Sequence, residues 1–177
     1  EGKSSLILSL GVVLAKEGKK VLVVDGDLRR SSLEKTLGLP EEGPGLTDFV
    51  LASTDEPDEF VVHHEESGVD FMRTGDAKYA NATDIFTSKR MLHIVDMLKQ
   101  RYDYILFDTP PVMAVADARV VGQIVDKTVF VVRWDKTPRK VARAAIDLLR
   151  KGGTEAAGIV LQQVDLKRYG KLGHGDS

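Results

Sequence analysis

The sequence predicts an α/β domain in which helices cover both faces of a mostly parallel sheet. Short apolar runs rich in β-branched residues alternate with longer amphipathic segments, which is the pattern of βαβ units. The length of 177 residues suits a single domain, and 42% of the residues are apolar, enough to form one sizeable core. No repeat, low-complexity segment or linker divides the chain.

The first elements follow from apolar spacing and from stop signals. Residues 3–17 carry apolar side chains at helical spacing, and Gly18 ends this segment. The run Val21–Val24 predicts a buried strand. A short helix is expected at Leu33–Leu37, and Thr47–Leu51 is expected to form one or two helical turns.

The middle of the chain gives weaker strand signals. Val61–Val62 and Val69–Met72 are candidate strands, and the acidic segment 52–67 is expected to be a solvated excursion at the surface. Thr83–Gln100 is predicted to be one long amphipathic helix. It leads into a second buried strand, Tyr104–Phe107.

The last part repeats the alternation of helix and strand. Residues 114–125 are predicted to be helical, and Thr128–Val132 is a third apolar strand. Pro138 indicates the start of a helix, because its fixed φ suits the first helical position. The final predicted strand is Ala157–Val164.

Composition excludes several classes of function. Lys and Arg total 25 against 27 Asp and Glu, so the net charge of −2 gives no support to a nucleic-acid or polybasic membrane contact. The absence of cysteine excludes disulfides, thiolate nucleophiles and cysteine-based zinc sites. No apolar run approaches the ~18 residues of a membrane-spanning helix. Because the chain starts Glu1-Gly2-Lys3 without Met, we expect it to be a fragment of a longer protein.

The first chemical signal is the run Gly2-Lys3-Ser4-Ser5 at the start of the first predicted helix. It matches the end of a phosphate-binding loop, G-K-S/T, where helix amides face an anion. In that arrangement Lys3 reaches the β- and γ-phosphates, and the Ser4 hydroxyl ligates Mg²⁺. The alternative is a solvated lysine followed by a helix N-cap.

The second signal is a pair of carboxylates after the first predicted strand. Asp25 and Asp27 lie on the same side of an extended chain, at the edge where open α/β sheets bind ligands. Two carboxylates there can hold Mg²⁺ or its waters and accept a proton from an attacking hydroxyl. The alternative is a polar turn, since Asp-Gly-Asp is also a turn sequence.

The third signal is the second buried strand, which ends in Asp108 and continues Thr109-Pro110-Pro111. This is the Walker B pattern, whose aspartate orders Mg²⁺ in P-loop NTPases. Alone, it is equally a buried strand followed by a turn. The three signals together occur in the order and at the element ends that a P-loop domain requires.

With these residues the chain resembles the cytoplasmic catalytic domain of bacterial tyrosine kinases of capsule and exopolysaccharide synthesis. The segments that carry the resemblance run almost from end to end: E-G-K-S at 1–4, V-L-V-V-D-G-D-L-R-R at 21–30, G-L-T-D-F-V-L at 45–51, D-I-F-T-S-K-R-M at 84–91 and Y-D-Y-I-L-F-D-T-P-P-V at 102–112. Partition and cell-division ATPases of the same P-loop superfamily share D-T-P-P, but they usually have D-x-D-P-Q where this chain has D-x-D-L-R-R.

The resemblance implies a P-loop NTPase fold and transfer of the γ-phosphoryl of ATP to protein tyrosine, with ATP and Mg²⁺ as cofactors. The roles it assigns by position are catalysis to Lys3, Asp25 and Asp27, nucleotide binding to Gly2, Lys3, Ser4 and Ser5, and metal binding to Ser4, Asp25 and Asp108. It also implies autophosphorylation in trans within a homo-oligomer and a membrane co-polymerase or activator segment, fused or separate. The implied location is the cytoplasmic side of the plasma membrane.

Four departures from the family pattern accompany this resemblance. The strand and glycine that precede the phosphate-binding lysine, and an arginine-bearing oligomerisation motif, would lie upstream of Glu1. The tyrosine-rich tail is absent after Tyr169, so 1–177 is expected to be a single domain truncated at both ends. Gln162 stands where the family tends to have an asparagine associated with adenine. Its amide makes it a candidate for binding the base.

Two other functions remain open from sequence. One is an ATPase switch of the partition or cell-division type, and the other is a non-catalytic P-loop domain that binds a membrane partner. Arg29 and Arg30 are equally open, since they could contact phosphate, contact a neighbouring subunit or be solvated.

Overall fold

The fold is known from a computed structural model that describes residues 2–29, 33–40, 42–76, 81–114 and 117–172. Its helices are α1 Lys3–Lys16, α2 Leu33–Leu37, α3 Leu46–Leu51, α4 Ala82–Thr87, α5 Lys89–Leu98, α6 Asp117–Val121, α7 Arg139–Lys151 and α8 Leu166–Leu172. Its strands are β1 Val21–Asp25, β2 Val61–His64, β3 Val69–Met72, β4 Tyr104–Asp108, β5 Thr128–Arg133 and β6 Ala156–Gln162. Helix α8 was not predicted.

The strands form two sheets in the described part of the chain. A four-stranded sheet has the order β2-β3-β1-β4, and β5 pairs with β6 in a second sheet. The pairs β1–β3, β1–β4 and β5–β6 are parallel, while β2 is an antiparallel edge strand. The prediction of a mostly parallel α/β fold is confirmed. Continuity into one sheet is not observed, because no described strand joins β4 to β5.

Strand β1 shows why helices are needed on both faces. Leu22 and Val24 pack into one apolar cluster with residues of α3, α4 and α5, whereas Val21 and Val23 pack into another with residues of α1 and α2. Because both faces are covered, all five residues of β1 are buried. The uninterrupted apolar run of this strand is thus a consequence of its central position.

The prediction of one long helix over 83–100 is wrong. The chain forms α4 and α5, separated at Ser88, whose ψ of 146° is extended. The Ser88 hydroxyl donates to the Ile85 carbonyl at 2.8 Å and accepts from the Met91 amide at 3.0 Å. Ser88 therefore ends one helix and caps the next, which is a side-chain alternative to continuing the backbone ladder.

Two further segments differ from the prediction. The acidic segment 52–67 contains a 3₁₀ turn, Asp58–Phe60, and strand β2, and Phe60 stacks on Phe49 with ring centroids 4.6 Å apart. The predicted helix 114–125 is reduced, among its described residues, to α6. In the described ranges, no helix is both long and apolar enough to cross a membrane.

Candidate functional site

The candidate site is built at the carboxyl ends of β1 and β4. Asp25 and Asp108 are direct partners in the parallel register, so the two strands end at the same level. The Gly26 amide donates to the Asp108 carbonyl at 2.8 Å. A Cβ at position 26 would lie 2.7 Å from that carbonyl oxygen, so the close approach of the two strand ends requires glycine.

The start of α1 is the third component of this edge. The Ser4 hydroxyl donates to Oδ2 of Asp108 at 2.5 Å, although the two residues are 104 positions apart in sequence. Gly2, the N-cap residue of α1, has φ 89° and ψ 14°, in the left-handed region that favours glycine. The short Gly2-Lys3-Ser4 sequence therefore delivers a hydroxyl and a helix N-terminus to the carboxylate that ends β4.

Asp108 is a buried carboxylate with charged and hydrogen-bonding neighbours. It is 6% exposed, and burial raises the pKa of its carboxyl above the ordinary value. The Ser4 hydrogen bond, the positive charge of Lys3 and the Thr109 amide oppose this rise, whereas the charge of Asp27 adds to it. Lys3 and Asp27 thus each lie within electrostatic range of the Asp108 carboxyl.

The two aspartates that follow β1 lie in different environments. Asp25 is 1% exposed, and its Oδ1 accepts the Asp27 amide at 3.0 Å. Asp27 is partly exposed, and its Oδ1 accepts the Arg29 amide at 3.2 Å. Two consecutive turns therefore follow the strand, and in each an aspartate side chain accepts the amide two residues on. Of the two carboxylates, that of Asp27 is the partly accessible one.

Two predicted site residues lie at the margin. Ser5 is exposed, and its carbonyl accepts the Ser9 hydroxyl at 2.8 Å inside α1. Gln162, at the end of β6, lies against the start of α1, since a Cβ at Gly2 would be 3.5 Å from Cβ and Cγ of Gln162. Helix α1 therefore begins between the ends of β4 and β6.

One contact at this edge was not anticipated from sequence. Nε of Arg29 donates to Oδ2 of Asp117 at 3.3 Å, which joins the turn after β1 to the start of α6. Arg29 is thus engaged with a carboxylate, and Arg30 lies outside the described residues. Aspartate is favoured at the first position of a helix, so the start of α6 at Asp117 could have been found from sequence. Nothing in the sequence indicated that Arg29 is its partner.

The donor set fits a hydrated magnesium ion. Among the described residues, no three His, Cys, Asp or Glu side chains cluster closely enough to hold a metal ion by themselves. Mg²⁺ commonly keeps several waters and takes only one or two protein carboxylates in addition to phosphate oxygens. A buried carboxylate already paired with a serine hydroxyl, as in Asp108 and Ser4, matches that requirement.

A separate cavity of about 340 Å³ lies beside α5, lined in part by Asp55, His93 and Arg101. Arg101 precedes β4, whereas Asp108 ends it, so this cavity lies toward the opposite end of the strand. Concavity alone therefore does not identify the carboxylate edge. The carboxylate edge is the candidate site because the start of α1, Asp25 and Asp108 meet there.

The chain is similar to several known proteins. Residues 1–126 match the model of a family described as an AAA domain. The tyrosine-protein kinase YwqD of Bacillus subtilis is 32% identical over 174 residues, which cover 98% of this chain and 72% of YwqD. The chain belongs to the bacterial tyrosine-protein kinase family. The tyrosine-protein kinase Etk of Escherichia coli is 30% identical over 163 residues, covering 92% of this chain.

Most of these kinase-family relatives are much longer than the chain. EpsB of Ralstonia nicotianae is 34% identical over 175 residues, or 98% of the chain but 23% of EpsB, and the match to Etk covers 22% of Etk. The chain thus spans about a quarter of the length of these relatives and most of the shorter YwqD.

Solved structures show the same fold. The VpsO kinase domain superposes with a TM-score of 0.85 at 30% identity, over 93% of this chain and 80% of that one. The septum site-determining protein MinD of Pyrococcus horikoshii, complexed with Mg-ADP, gives 0.72 at 22% identity, over 90% and 64%. This second likeness shows the fold alone, which is that of P-loop NTPases.

Proposed function

We propose that the chain is the catalytic domain of an ATP-dependent protein-tyrosine kinase that phosphorylates itself in trans. The observation that carries the proposal is the hydrogen bond from Ser4 to Asp108 at the carboxyl edge, with Lys3 and Asp27 close enough to act on the same carboxylate. Membership of the tyrosine-protein kinase family supports a protein tyrosine as the acceptor.

Each site residue has a role that its position supports. The amides at the start of α1 and the Lys3 ammonium would face the phosphates of ATP. Ser4 and Asp108 would hold Mg²⁺, with buried Asp25 beside them. Ser5 and Gln162 would complete nucleotide binding, with the Gln162 amide on the side of the base. Mg²⁺, when bound, supplies charge neutralisation on the phosphate oxygens.

Asp27 is the best-placed group for the proton. In the transfer, the tyrosine oxygen bonds to the γ-phosphorus as the bond to the ADP oxygen breaks, and the hydroxyl proton passes to a carboxylate. Asp27 is partly exposed whereas Asp25 is 1% exposed, so an incoming tyrosine can reach Asp27. Positioning and charge neutralisation would supply most of the rate, since phosphoryl transfer leaves little covalent work to the protein.

We further propose that one parallel strand preceding Glu1 completes the fold between β4 and the β5–β6 pair. Helix α1 begins between the ends of β4 and β6, and a strand leading into α1 would arrive in that interval. Such a strand would join the two sheets and bring backbone amides up to the phosphate site. The phosphorylated tyrosines are proposed to lie mainly in a tail beyond Ser177.

The cellular role is proposed from the resemblance. One relative is named for its position in the cps region of Klebsiella pneumoniae. Control of exopolysaccharide or capsule polymerisation and export, with a membrane activator segment as partner and a homo-oligomer as the phosphorylating unit, is the role consistent with that family. The domain would act at the cytoplasmic face of the plasma membrane through a segment outside this chain.

Phosphotyrosine formation in the full-length protein tests the kinase proposal. Wild type given Mg-ATP should acquire phosphotyrosine, detected by mass spectrometry, whereas Asp27→Asn should lose transfer by about 100-fold or more, because the carboxylate base is removed. Asp126→Asn changes an exposed aspartate that pairs with Lys99 and is the matched control, with activity expected to be unchanged. ATP hydrolysis without phosphotyrosine would instead indicate an ATPase switch.

A further inference from the structure

Arg29 links the two loops that carry the carboxylates of the candidate site. Its Nε–H donates to Oδ2 of Asp117 across 88 positions of sequence. Arg29 belongs to the turn after β1, and Asp117 begins α6 after the loop that follows β4. The side chain of Arg29 is 62% exposed, whereas that of Asp117 is 4% exposed.

The burial of Asp117 makes this contact more than a surface ion pair. A buried carboxylate is unfavourable unless hydrogen bonds and an opposite charge compensate it. Among the residues that the structure describes, the Arg29 guanidinium donates to the Asp117 carboxylate. The buried acid therefore fixes the guanidinium end of a side chain that is otherwise largely exposed.

The backbone of Arg29 in turn holds Asp27. The Arg29 amide donates to Oδ1 of Asp27, and the Asp27 amide donates to Oδ1 of Asp25. A continuous chain of hydrogen bonds thus runs from Asp117 on α6, through Arg29 and Asp27, to Asp25 at the end of β1. The Gly26 amide makes a second, inner link by donating to the Asp108 carbonyl.

We propose that Arg29 is a positioning residue, whose side-chain bond to buried Asp117 holds the 26–29 turn and with it the carboxylate of Asp27. The proposal rests on the proposed kinase function, in which Asp27 accepts the tyrosine proton. It replaces phosphate contact or subunit contact as the role of this arginine. A carboxylate base must be held within a fraction of an ångström of its productive position, and small displacements are costly in rate.

Steady-state kinetics of the full-length protein separate positioning from phosphate binding. Arg29→Ala should lower kcat by about 10- to 100-fold while KM for ATP stays within about twofold. Arg29→Lys keeps the charge without the planar Nε–H and should recover part of the rate. Arg101→Ala removes an arginine that pairs with Glu56 and Asp58 far from the site, and its kcat should match wild type.

A double-mutant cycle tests the link to Asp117. Asp117→Asn keeps the volume and an accepting oxygen but removes the charge, so kcat should fall by less than in Arg29→Ala. The double variant should be no slower than Arg29→Ala within about twofold, because both changes break the same contact. Multiplied losses in the double variant, or a raised KM for ATP with kcat preserved, would overturn the proposal.

Hydrogen exchange tests the same idea without any catalytic readout. In Arg29→Ala and Asp117→Asn the amides of residues 27 and 29 should exchange faster than in wild type, because the turn is released. The Gly26 amide, bonded to the Asp108 carbonyl, should be unchanged and is the internal control. Unchanged exchange at residues 27 and 29 in both variants would contradict the positioning role. Faster exchange in the variants, combined with a wild-type protein that forms no phosphotyrosine, would count against the kinase function alone.

Discussion

Strand β1 and the β5–β6 pair have similar sequences but very different surroundings. Val21, Leu22, Val23 and Val24 are each at most 2% exposed, between two paired strands and two helical layers. In the second sheet the apolar residues Val129, Ile159 and Leu161 are 52%, 57% and 52% exposed. A β-branched run therefore predicts a strand in both places, but the neighbours decide how much of it is buried.

The two sheets also differ in how they are covered and paired. The four-stranded half has a core on both faces, whereas the two-stranded half pairs only with itself among the described residues. The candidate site lies between the ends of the two sheets, with Asp25 and Asp108 on the four-stranded side and Gln162 on the β5–β6 side. We therefore expect nucleotide binding and the joining of the two sheets to depend on the same region, between the ends of β4 and β6.

The largest expected effect comes from joining the two halves. We expect residues 1–177 alone to be poorly stable, to bind Mg-ATP weakly and to show no appreciable autophosphorylation, and a form extended upstream by about 30 residues to bind tightly. Each buried amide or carbonyl left unpaired costs about 1–3 kcal/mol, against a typical total stability of about 5–15 kcal/mol. Calorimetry with Mg-ATP on both forms measures this.

A flexible Gly-Ser extension of the same length is the control for that experiment. It adds chain without strand propensity, so it should not restore binding. Tight Mg-ATP binding by residues 1–177 alone would show that the two halves need no further strand to build the phosphate site.

The next largest effect concerns Lys3, at the start of α1 between the two sheets. Lys3→Met keeps the apolar stem and removes the charge near Asp108, so in the full-length protein the affinity for Mg-ATP should fall about 10- to 100-fold. Thermal stability without nucleotide should remain similar. Lys16→Met, in the last turn of the same helix, is the matched control, and equal ATP binding by Lys3→Met would remove the phosphate-binding role.

A pair of identical substitutions compares the two halves directly. Val23→Ala opens a cavity in a strand that is completely buried and should lower the free energy of unfolding by about 2 kcal/mol. Val129→Ala, at a half-exposed position, should cost less than about 0.5 kcal/mol. Urea unfolding of the full-length protein checks both, and equal costs would mean that the β5–β6 half is covered by other parts of the protein.

The smallest effect is a pH dependence of stability that Asp108 introduces. Burial raises the pKa of Asp108, so the folded protein loses this proton at a higher pH than the unfolded chain does. Asp108 therefore destabilises the fold least below the pKa of the unfolded chain, about 3.9. The free energy of unfolding falls as the pH rises from there through the higher pKa of Asp108 in the folded protein. Relative to Asp108→Asn, wild type without nucleotide should therefore lose stability from pH 4 to pH 7.

Urea unfolding at the two pH values measures this difference. Addition of Mg-ATP at pH 7 should stabilise wild type and leave Asp108→Asn nearly unchanged, because the variant lacks the proposed metal-holding carboxylate. A parallel pH dependence in both proteins would assign the effect to other groups.

The sequence by itself determined the elements whose signals are local. Apolar runs of four or five residues predicted β1, β4 and β5, although only β1 is buried at every residue. The three chemical signals stand at strand ends or at the start of a helix, so alternation alone brought their residues to one edge. Local pattern failed at Ser88, where apolar periodicity continues across a helix break made by one hydroxyl.

Only the tertiary structure decided what depends on residues distant in sequence. The bond from Ser4 to Asp108 spans 104 positions and that from Arg29 to Asp117 spans 88, and no periodicity encodes either. The close approach that requires Gly26 and the exposure of Ile159 are likewise set by neighbouring strands. Spacing in the sequence supplies the chemical groups, but packing fixes which of them meet, because hydrogen bonds and burial depend on distance in space.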